Sequence, residues 1–142
     1  MKIYLDNCCF NRPYDDQTQL RINLETQAKL HIQQRVLDKR FELVWSFILE
    51  YENSQNPFVE KREAIAEWRN LASEIILSND DIVTFAKSLS SKGIKPKDAL
   101  HIACAVNAGC DCFLTTDRKL LNTPVPEIRI LSPIQFVSEV EE

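Results

Sequence analysis

The chain has 142 residues, of which 44% are hydrophobic and 27% are charged. This balance is typical of a globular domain and excludes disordered, coiled-coil and collagen-like classes. Seventeen Lys and Arg residues against 21 Asp and Glu residues give a formal net charge of -4 at pH 7, which excludes a global basic field that would attract nucleic acid. The length is that of one ordinary domain, and we expect residues 1–142 to form a single one.

Two residue types are scarce enough to exclude further functional classes. The two glycines, Gly93 and Gly109, lie too far apart for a dinucleotide-binding or P-loop phosphate motif. The two histidines, His31 and His101, provide few ligands for a histidine-rich zinc site, and no G-x-S-x-G segment of a serine hydrolase occurs. No apolar run is long enough to span a membrane, and the odd number of cysteines favours a reducing, cytoplasmic location.

The first half of the chain predicts two strands, each followed by a helix. Lys2–Leu5 is a short apolar run that ends at Asp6-Asn7, a pair typical of turns and helix caps. Apolar residues then recur every four positions over Gln17–Asp38, which is the spacing of an amphipathic helix. Phe41–Ser46 is aromatic and β-branched and predicts a second strand, after which Ser46 can cap the next helix.

The second half predicts three more strands between helices. We expect a long helix from Asn56 to Ile76, and then a strand at Asp81–Phe85 followed by a weaker helical stretch. The segment from Lys95 to Ala108 is apolar on nearly all sides, which is typical of a buried helix. Cys112–Thr116 and Ile128–Leu131 predict the fourth and fifth strands, with a short helical turn between them and a terminal helix after them.

Strands that alternate with helices and show few hairpin signals indicate right-handed βαβ crossovers. We therefore predict an α/β fold, in which a mainly parallel twisted sheet of about five strands carries helices on both faces. Ligands of such sheets bind beyond the carboxyl ends of the strands. Four carboxylates fall at that rim: Asp6, Glu50, Asp98 and Asp117.

Each of these acids alone is also explained as a turn, cap or surface residue, and their common position at the rim is what favours a shared site. Two carboxylates about 4 Å apart repel each other by roughly 4 kcal/mol at an effective dielectric constant near 20. A divalent cation relieves such repulsion, and oxygen ligands with almost no histidine predict Mg²⁺ or Mn²⁺. Because Mg²⁺ also takes phosphate oxygens as ligands, we expect hydrolysis or transfer at phosphorus.

Two further groups of residues are candidates at the same rim. Basic residues that could bind flanking phosphates are Arg12, Lys95, Lys97, Arg118 and Lys119, although ordinary solvated surface also explains them. Polar residues that could orient the carboxylates are Asn7, Ser46, Thr115 and Thr116.

Four segments resemble, in order and spacing, the acidic motifs of PIN-domain ribonucleases: Y-L-D-N, S-F-I-L-E-Y-E, K-P-K-D-A-L-H-I-A-C-A and F-L-T-T-D-R-K-L. The resemblance covers nearly the whole chain. Its most specific parts are the P-x-D-A-x-x-x-A helix start and the T-x-D after a hydrophobic strand. A departure from the family pattern is Asn7, which stands where a small hydroxyl residue is common.

The resemblance implies a PIN-like domain that is a metal-dependent endoribonuclease acting on single-stranded RNA. It implies that Asp6, Glu50, Asp98 and Asp117 are the catalytic and metal-binding acids, with Thr115 at the hydroxyl position of the last motif. It further implies a toxin that a partner antitoxin protein holds silent, and a homodimer is compatible with it.

Three alternatives stay open. A thiol or metal site built from His101, Cys104, Cys110 and Cys112 is disfavoured because the C-x-C segment has no second pair, as a zinc ribbon would require. A phosphoacceptor signalling domain is disfavoured because Asn7, and not a second acid, follows Asp6. A catalytically inactive PIN-like module that binds nucleic acid or protein would have the same fold, so fold alone does not decide against it.

Overall fold

The computed structural model describes residues 1–141 and contains one sheet of five parallel strands, in the order β3-β2-β1-β4-β5. The strands are β1 (Lys2–Leu5), β2 (Glu42–Ser46), β3 (Glu74–Ile76), β4 (Cys112–Leu114) and β5 (Arg129–Leu131). The predicted α/β class with a parallel sheet of about five strands is confirmed.

Helices connect the strands and cover the sheet. They are α1 (Asn7–Asn11), α2 (Leu20–Leu37), α3 (Phe47–Ser54), α4 (Val59–Ala66), α5 (Trp68–Leu71), α6 (Asp80–Ser91), α7 (Pro96–Asn107), α8 (Arg118–Leu121) and α9 (Pro133–Val140). A short 3-10 turn, Arg12–Tyr14, follows α1. No helix in the described part of the chain is both long and apolar enough to cross a membrane.

The central strand β1 is buried on both faces. Ile3, Tyr4 and Leu5 are each 0% exposed, although their side chains alternate between the two faces of the sheet. The Tyr4 ring stacks on Phe113 of β4 with centroids 5.4 Å apart. Burial on both faces is the environment expected for a parallel strand that is covered by helices on each side.

The strand register brings the carboxyl ends of three neighbouring strands together. Leu5 of β1 pairs with Leu114 of β4, and Tyr4 pairs with Val44 of β2. The backbone N–H of Asp6 donates to the carbonyl of Leu114 over 2.9 Å, which extends the β1–β4 pairing by one residue. The residues that follow β1, β2 and β4 therefore meet at one rim of the sheet.

The predicted third strand was wrong. Asp81–Phe85 lies within α6, where the Asn79 side chain caps the helix by accepting a hydrogen bond from the N–H of Ile82 over 2.8 Å. The buried residues Ile82, Ala86 and Leu89 recur at helical and not at strand spacing. The acids of the first turn, Asp80 and Asp81, are also favourable at a helix N-terminus.

The true third strand comes from the end of the predicted helix Asn56–Ile76. That helix is divided into α4 and α5 and ends at Leu71, and Glu74–Ile76 then pairs with β2. The N–H of Ser73 donates to the carbonyl of Leu43 over 2.9 Å and begins this pairing. Ile75 and Ile76 are β-branched residues that fit a strand, so tertiary pairing overrode an apolar pattern that local periodicity assigned to a helix.

Candidate active site

Asp6 is fixed at the end of β1 by three hydrogen bonds to its carboxylate. It is 6% exposed and caps α1, with its Oδ1 accepting from the backbone N–H of Asn7 over 2.8 Å. Its Oδ2 accepts from the Thr115 hydroxyl over 2.8 Å and from the Cys8 thiol over 3.5 Å. Both oxygens are therefore held in a defined orientation at the rim.

Thr115 also positions Asp117 after β4. The Thr115 hydroxyl oxygen accepts from the backbone N–H of Asp117 over 3.1 Å, while its proton is donated to Asp6. The Asp117 carboxylate caps the short helix α8 by accepting from the N–H of Lys119 over 2.9 Å. The N–H of Thr116 points to the Cys8 sulfur at 3.4 Å. The Thr115 hydroxyl thus connects Asp6 and Asp117, two of the predicted acids.

Asp98 lies in the first turn of α7 and shares the electrostatic environment of the other acids. Its pKa is raised above its usual value by burial, and next by the negative charges of Asp6 and Asp117. His101 opposes this effect, and Glu52 adds to it. Asp98 is only partly buried, so solvent screens these interactions. The contributions of Asp6 and Asp117 to this shift are those of nearby charges, and Asp98 and Asp117 line the same cleft.

The structure does not bring Glu50 into this group. The Glu50 side chain is 51% exposed, accepts from the indole N–H of Trp45 over 2.8 Å and lies 4.0 Å from Arg69. Glu52, two residues further along α3, lies at the site instead, with its Oε1 hydrogen-bonded to Nε2 of His101. Our assignment of the α3 acid therefore moves from Glu50 to Glu52.

A buried chain of hydrogen bonds runs behind the acids. His101 is 1% exposed, and its Nε2 contacts Glu52 and lies 3.8 Å from Oδ1 of Asp6. Its Nδ1 is 2.6 Å from the Tyr4 hydroxyl, which in turn is 2.6 Å from the Ser46 hydroxyl. Burial raises the pKa of Tyr4 well above its usual value, so the phenol stays neutral.

Sequence reasoning missed four residues of this arrangement: Tyr4, Cys8, Glu52 and His101. A signal was present for two of them. Glu52 is four residues after the buried Ile48 and so shares its side of α3, and His101 is three residues after Asp98 and so shares its side of α7. Tyr4 gave no signal, because a tyrosine within an apolar run is indistinguishable from a core residue.

Three of the acids and two of the predicted basic residues line an open cleft. The cleft measures about 520 Å³, and its lining consists of Glu52, Lys95, Pro96, Lys97, Asp98 and Asp117. Lys119 lines an adjoining recess together with Asp98 and Asp117.

The two predicted arginines lie elsewhere. Arg12 forms ion pairs with Asp15 at 2.9 Å and with Glu25 at 3.0 Å, and it does not line the cleft. Arg118 lines a separate cavity and is not among the residues that line the cleft. Of the five basic residues predicted to bind phosphate, the structure therefore places Lys95, Lys97 and Lys119 beside the acids.

The donor chemistry of the site fits a hard divalent cation. Asp6, Glu52, Asp98 and Asp117 present carboxylate oxygens, and burial first and the negative charges of Asp6 and Asp117 next raise the pKa of Asp98, which a bound cation would counter. Within residues 1–141, however, no three His, Cys, Asp or Glu side chains stand in an arrangement ready to hold one ion. The engagement of Glu52 with His101 is one physical reason for this.

The cysteines do not form a competing site. All five are free, and burial raises the pKa of the Cys104 and Cys110 thiols to about 12 in each case. Such thiols stay protonated near neutral pH and are poor nucleophiles and metal ligands. His101 contacts Tyr4 and Glu52 instead of a cysteine.

These features define an α/β protein with an acidic cleft at the carboxyl ends of its parallel strands. The family model for the PIN domain matches residues 3–126, and the chain therefore belongs to the PIN domain family. PIN domains are generally nucleases and typically use divalent metals.

The fold is also similar to that of a solved structure. A chain in the crystal structure of VapBC2 from Rickettsia felis, bound to a DNA fragment from their promoter, superposes with a TM-score of 0.56. The match covers 92% of this chain and 97% of that chain, with 15% sequence identity, and therefore shows similarity of fold. No curated protein matches the chain in sequence.

Proposed function

We propose that this protein is a metal-dependent endoribonuclease that hydrolyses phosphodiester bonds of single-stranded RNA. The observation that carries the proposal is the convergence of Glu52, Asp98 and Asp117, which come from separate parts of the sequence, at one cleft, with Asp6 linked to Asp117 through the Thr115 hydroxyl. Membership of the PIN domain family supports nuclease chemistry at these acids.

We assign Asp6, Glu52, Asp98 and Asp117 as the residues that would hold Mg²⁺ or Mn²⁺. When bound, such an ion supplies Lewis acid chemistry that stabilises negative charge on a phosphate and activates water. Thr115 and the N–H of Asn7 fix the orientation of the Asp6 carboxylate, and His101 fixes that of Glu52. The contacts to Asp6 reduce the reorganisation that binding a cation would otherwise require of that carboxylate, whereas Glu52 would have to turn away from His101.

The basic residues beside the acids would bind the RNA backbone. Lys95 and Lys97 precede Asp98 at the mouth of the cleft, and Lys119 follows Asp117. With a formal net charge of -4, the chain depends on such local positive charge to attract a polyanion. We therefore expect RNA binding that weakens as the salt concentration rises.

We further propose that the protein is a cytoplasmic toxin that a partner antitoxin inhibits. The fold similarity to a chain of VapBC2 supports this proposal, as does family membership. Five free cysteines, four of them buried, are typical of a protein kept in a reducing compartment.

One observation favours a second candidate, a catalytically inactive PIN-like module that binds nucleic acid or protein. In the described residues no three potential ligands stand ready for one ion, and Glu52 is already engaged by His101. A nuclease requires that Glu52 or another acid reorient when the cation arrives, whereas a binding module does not.

The decisive experiment measures cleavage of a fluorescently labelled single-stranded RNA with Mg²⁺, Mn²⁺ or EDTA. We expect metal-dependent cleavage that Asp98→Asn and Glu52→Gln abolish. Glu50→Gln is the matched control, because Glu50 lies on the same helix but is exposed and directed to Trp45. Calorimetric titration with Mn²⁺ should show binding that Asp98→Asn weakens. RNA binding without any metal-dependent cleavage would favour the inactive module.

A further inference from the structure

Tyr51 of α3 is a large aromatic residue that lies outside the core. It is 52% exposed, whereas Ile48 and Leu49 of the same helix are buried. It directly precedes Glu52, which lines the acidic cleft. The ring therefore stands beside the cleft with much of its surface open to solvent.

Lys97 connects this ring to the acidic cleft from the side of α7. Its Nζ lies over the Tyr51 ring, 5.6 Å from the ring centre, which is within the range of a cation–π contact. Lys97 also lines the cleft together with Asp98. It is exposed and makes no ion pair within residues 1–141, so its charge is available to an anion.

An exposed aromatic ring next to an unpaired ammonium group has the chemistry that binds single-stranded nucleic acid. Bases that are not paired stack on aromatic side chains, while lysines bind the phosphates of the same strand. A base and its phosphate are joined through one sugar, so two side chains in contact can hold both parts of one nucleotide. In a duplex the bases are already stacked and paired, and they cannot use such a ring.

We propose that Tyr51 and Lys97 bind one unpaired nucleotide of the RNA strand beside the acidic cleft, an inference that rests on the proposed ribonuclease function. The base stacks on Tyr51, and its phosphate binds Nζ of Lys97. Lys97 directly precedes Asp98, so the strand continues from this nucleotide to the acids. Acids that hold a cation bind the phosphates of single and double strands alike, and the ring adds selectivity for single strands.

A second tyrosine of the chain provides a matched control. Tyr14 is 51% exposed, and its ring centre lies 5.3 Å from Nζ of Lys61. Neither Tyr14 nor Lys61 is among the residues that line the acidic cleft. Tyr14 therefore matches Tyr51 in residue type, exposure and lysine contact, and differs from it in position.

The test measures the binding of three fluorescein-labelled probes by fluorescence anisotropy. They are oligoadenosine of six nucleotides, an abasic strand of the same length, and a blunt RNA duplex. All measurements use Asp98→Asn with Mg²⁺, so that the probes stay intact. We expect Tyr51→Leu to weaken binding of oligoadenosine about tenfold, the effect of one lost base stack, and to leave the other two probes unaffected.

Three further variants separate stacking from charge and from general surface effects. Tyr51→Phe keeps the ring and should retain the affinity for oligoadenosine. Lys97→Gln should weaken binding of oligoadenosine and of the abasic strand together, and should reduce the dependence of both on salt. Tyr14→Leu should leave the affinities for all three probes unchanged. Circular dichroism checks that each variant is folded, which the exposure of the substituted side chains favours.

The proposal is overturned if folded Tyr51→Leu binds oligoadenosine as tightly as its parent, or loses affinity equally for the abasic strand. An equal loss in Tyr14→Leu would also overturn it. The nuclease proposal is judged separately, by cleavage with the wild-type protein. Cleavage without an effect of Tyr51 removes the nucleotide site alone, whereas a stacking effect without cleavage removes the nuclease and leaves a site for single strands.

Discussion

Lys29 of α2 is a charged residue buried in the core. Its side chain is 3% exposed and makes no hydrogen bond or ion pair within the part of the chain that the structure describes. Nζ lies 5.4 Å from the centre of the Phe10 ring and 5.6 Å from that of Trp68. Burial lowers the pKa of Lys29 to about 8 from 10.5, and Cys9 acts in the opposite direction.

The burial of charged Lys29 lowers the free energy of unfolding, and a substitution that removes the charge should raise it. Keeping Lys29 charged at pH 7 costs about 3 kcal/mol of folding free energy, given its pKa of about 8 when folded and 10.5 when unfolded. Cation–π contacts with the two rings offset roughly 0.5–2 kcal/mol of that cost. Lys29→Met keeps most of the volume without the charge, and we expect it to raise the free energy of unfolding by about 1–3 kcal/mol at pH 7.

The contribution of Lys29 to the free energy of unfolding changes with pH in a direction that follows from its lowered pKa. Between pH 8 and pH 10.5 the unfolded chain binds the Lys29 proton more tightly than the folded protein does, so this residue makes stability rise with pH. Urea unfolding of the wild type and Lys29→Met at pH 7, 9 and 10.5 should therefore show a difference that shrinks as the pH rises. A variant less stable than the wild type at pH 7, or a difference independent of pH, would refute this reasoning.

Two other predictions concern the acidic site. The pKa of Asp98 in the folded protein is raised above its usual value of 3.8, so the ionised carboxylate destabilises the fold. The free energy of unfolding therefore decreases as the pH rises above 3.8 and this carboxyl group ionises. Without metal, Asp98→Asn should thus melt at a higher temperature than the wild type at pH 7. Mn²⁺ at 100 times its Kd should raise the free energy of unfolding of the wild type by ~2.7 kcal/mol, and that of the variant by less. Differential scanning fluorimetry measures both effects, and a wild type that Mn²⁺ does not stabilise would contradict the assigned ligands. Tyr4→Phe should lower the free energy of unfolding, measured with urea, by about 1–3 kcal/mol, because it removes the hydrogen-bond partner of the buried His101 and Ser46 side chains. Tyr51 is exposed, so Tyr51→Phe should leave the free energy of unfolding almost unchanged. Equal costs for the two tyrosine variants would argue against the buried hydrogen-bond chain.

Most of the fold could be predicted because its signals are local. Asp6 and Asp117 are caps at the ends of strands, and Asp98 follows the Pro96 that begins α7, so each acid marks an element boundary that the sequence shows. The edge strand β3 could not be predicted in this way. Ile75 and Ile76 continue a helical apolar pattern, and only pairing with β2 makes them a strand.

The sequence predicted Glu50 as a site acid, whereas Glu52 contacts His101 in the structure, and the rotation of α3 explains the difference. Both acids fall in α3, and the sequence analysis predicted Glu50 as the acid of this helix at the rim. Ser46 caps the helix and Ile48 and Leu49 are buried against the core, which turns Glu52 inward and leaves Glu50 with Trp45. The rotation is set by core contacts, although helical spacing from Ile48 gives the same answer once that residue is known to be buried.

The hydrogen bonds that link Glu52 to His101, Tyr4 and Ser46 could not be predicted from the local sequence, because these residues come from distant parts of the chain. Tyr4 and His101 are 97 positions apart, and Tyr4 and Ser46 are 42 positions apart, yet the three side chains form one buried chain of hydrogen bonds. Ser46 also caps α3, so the same hydroxyl contributes to the helix that carries Glu52 and to the chain that orients it. The orientation of an acid at the cleft therefore depends on a tyrosine in the centre of the sheet, and Tyr4→Phe should weaken Mn²⁺ binding even though Tyr4 lies outside the cleft.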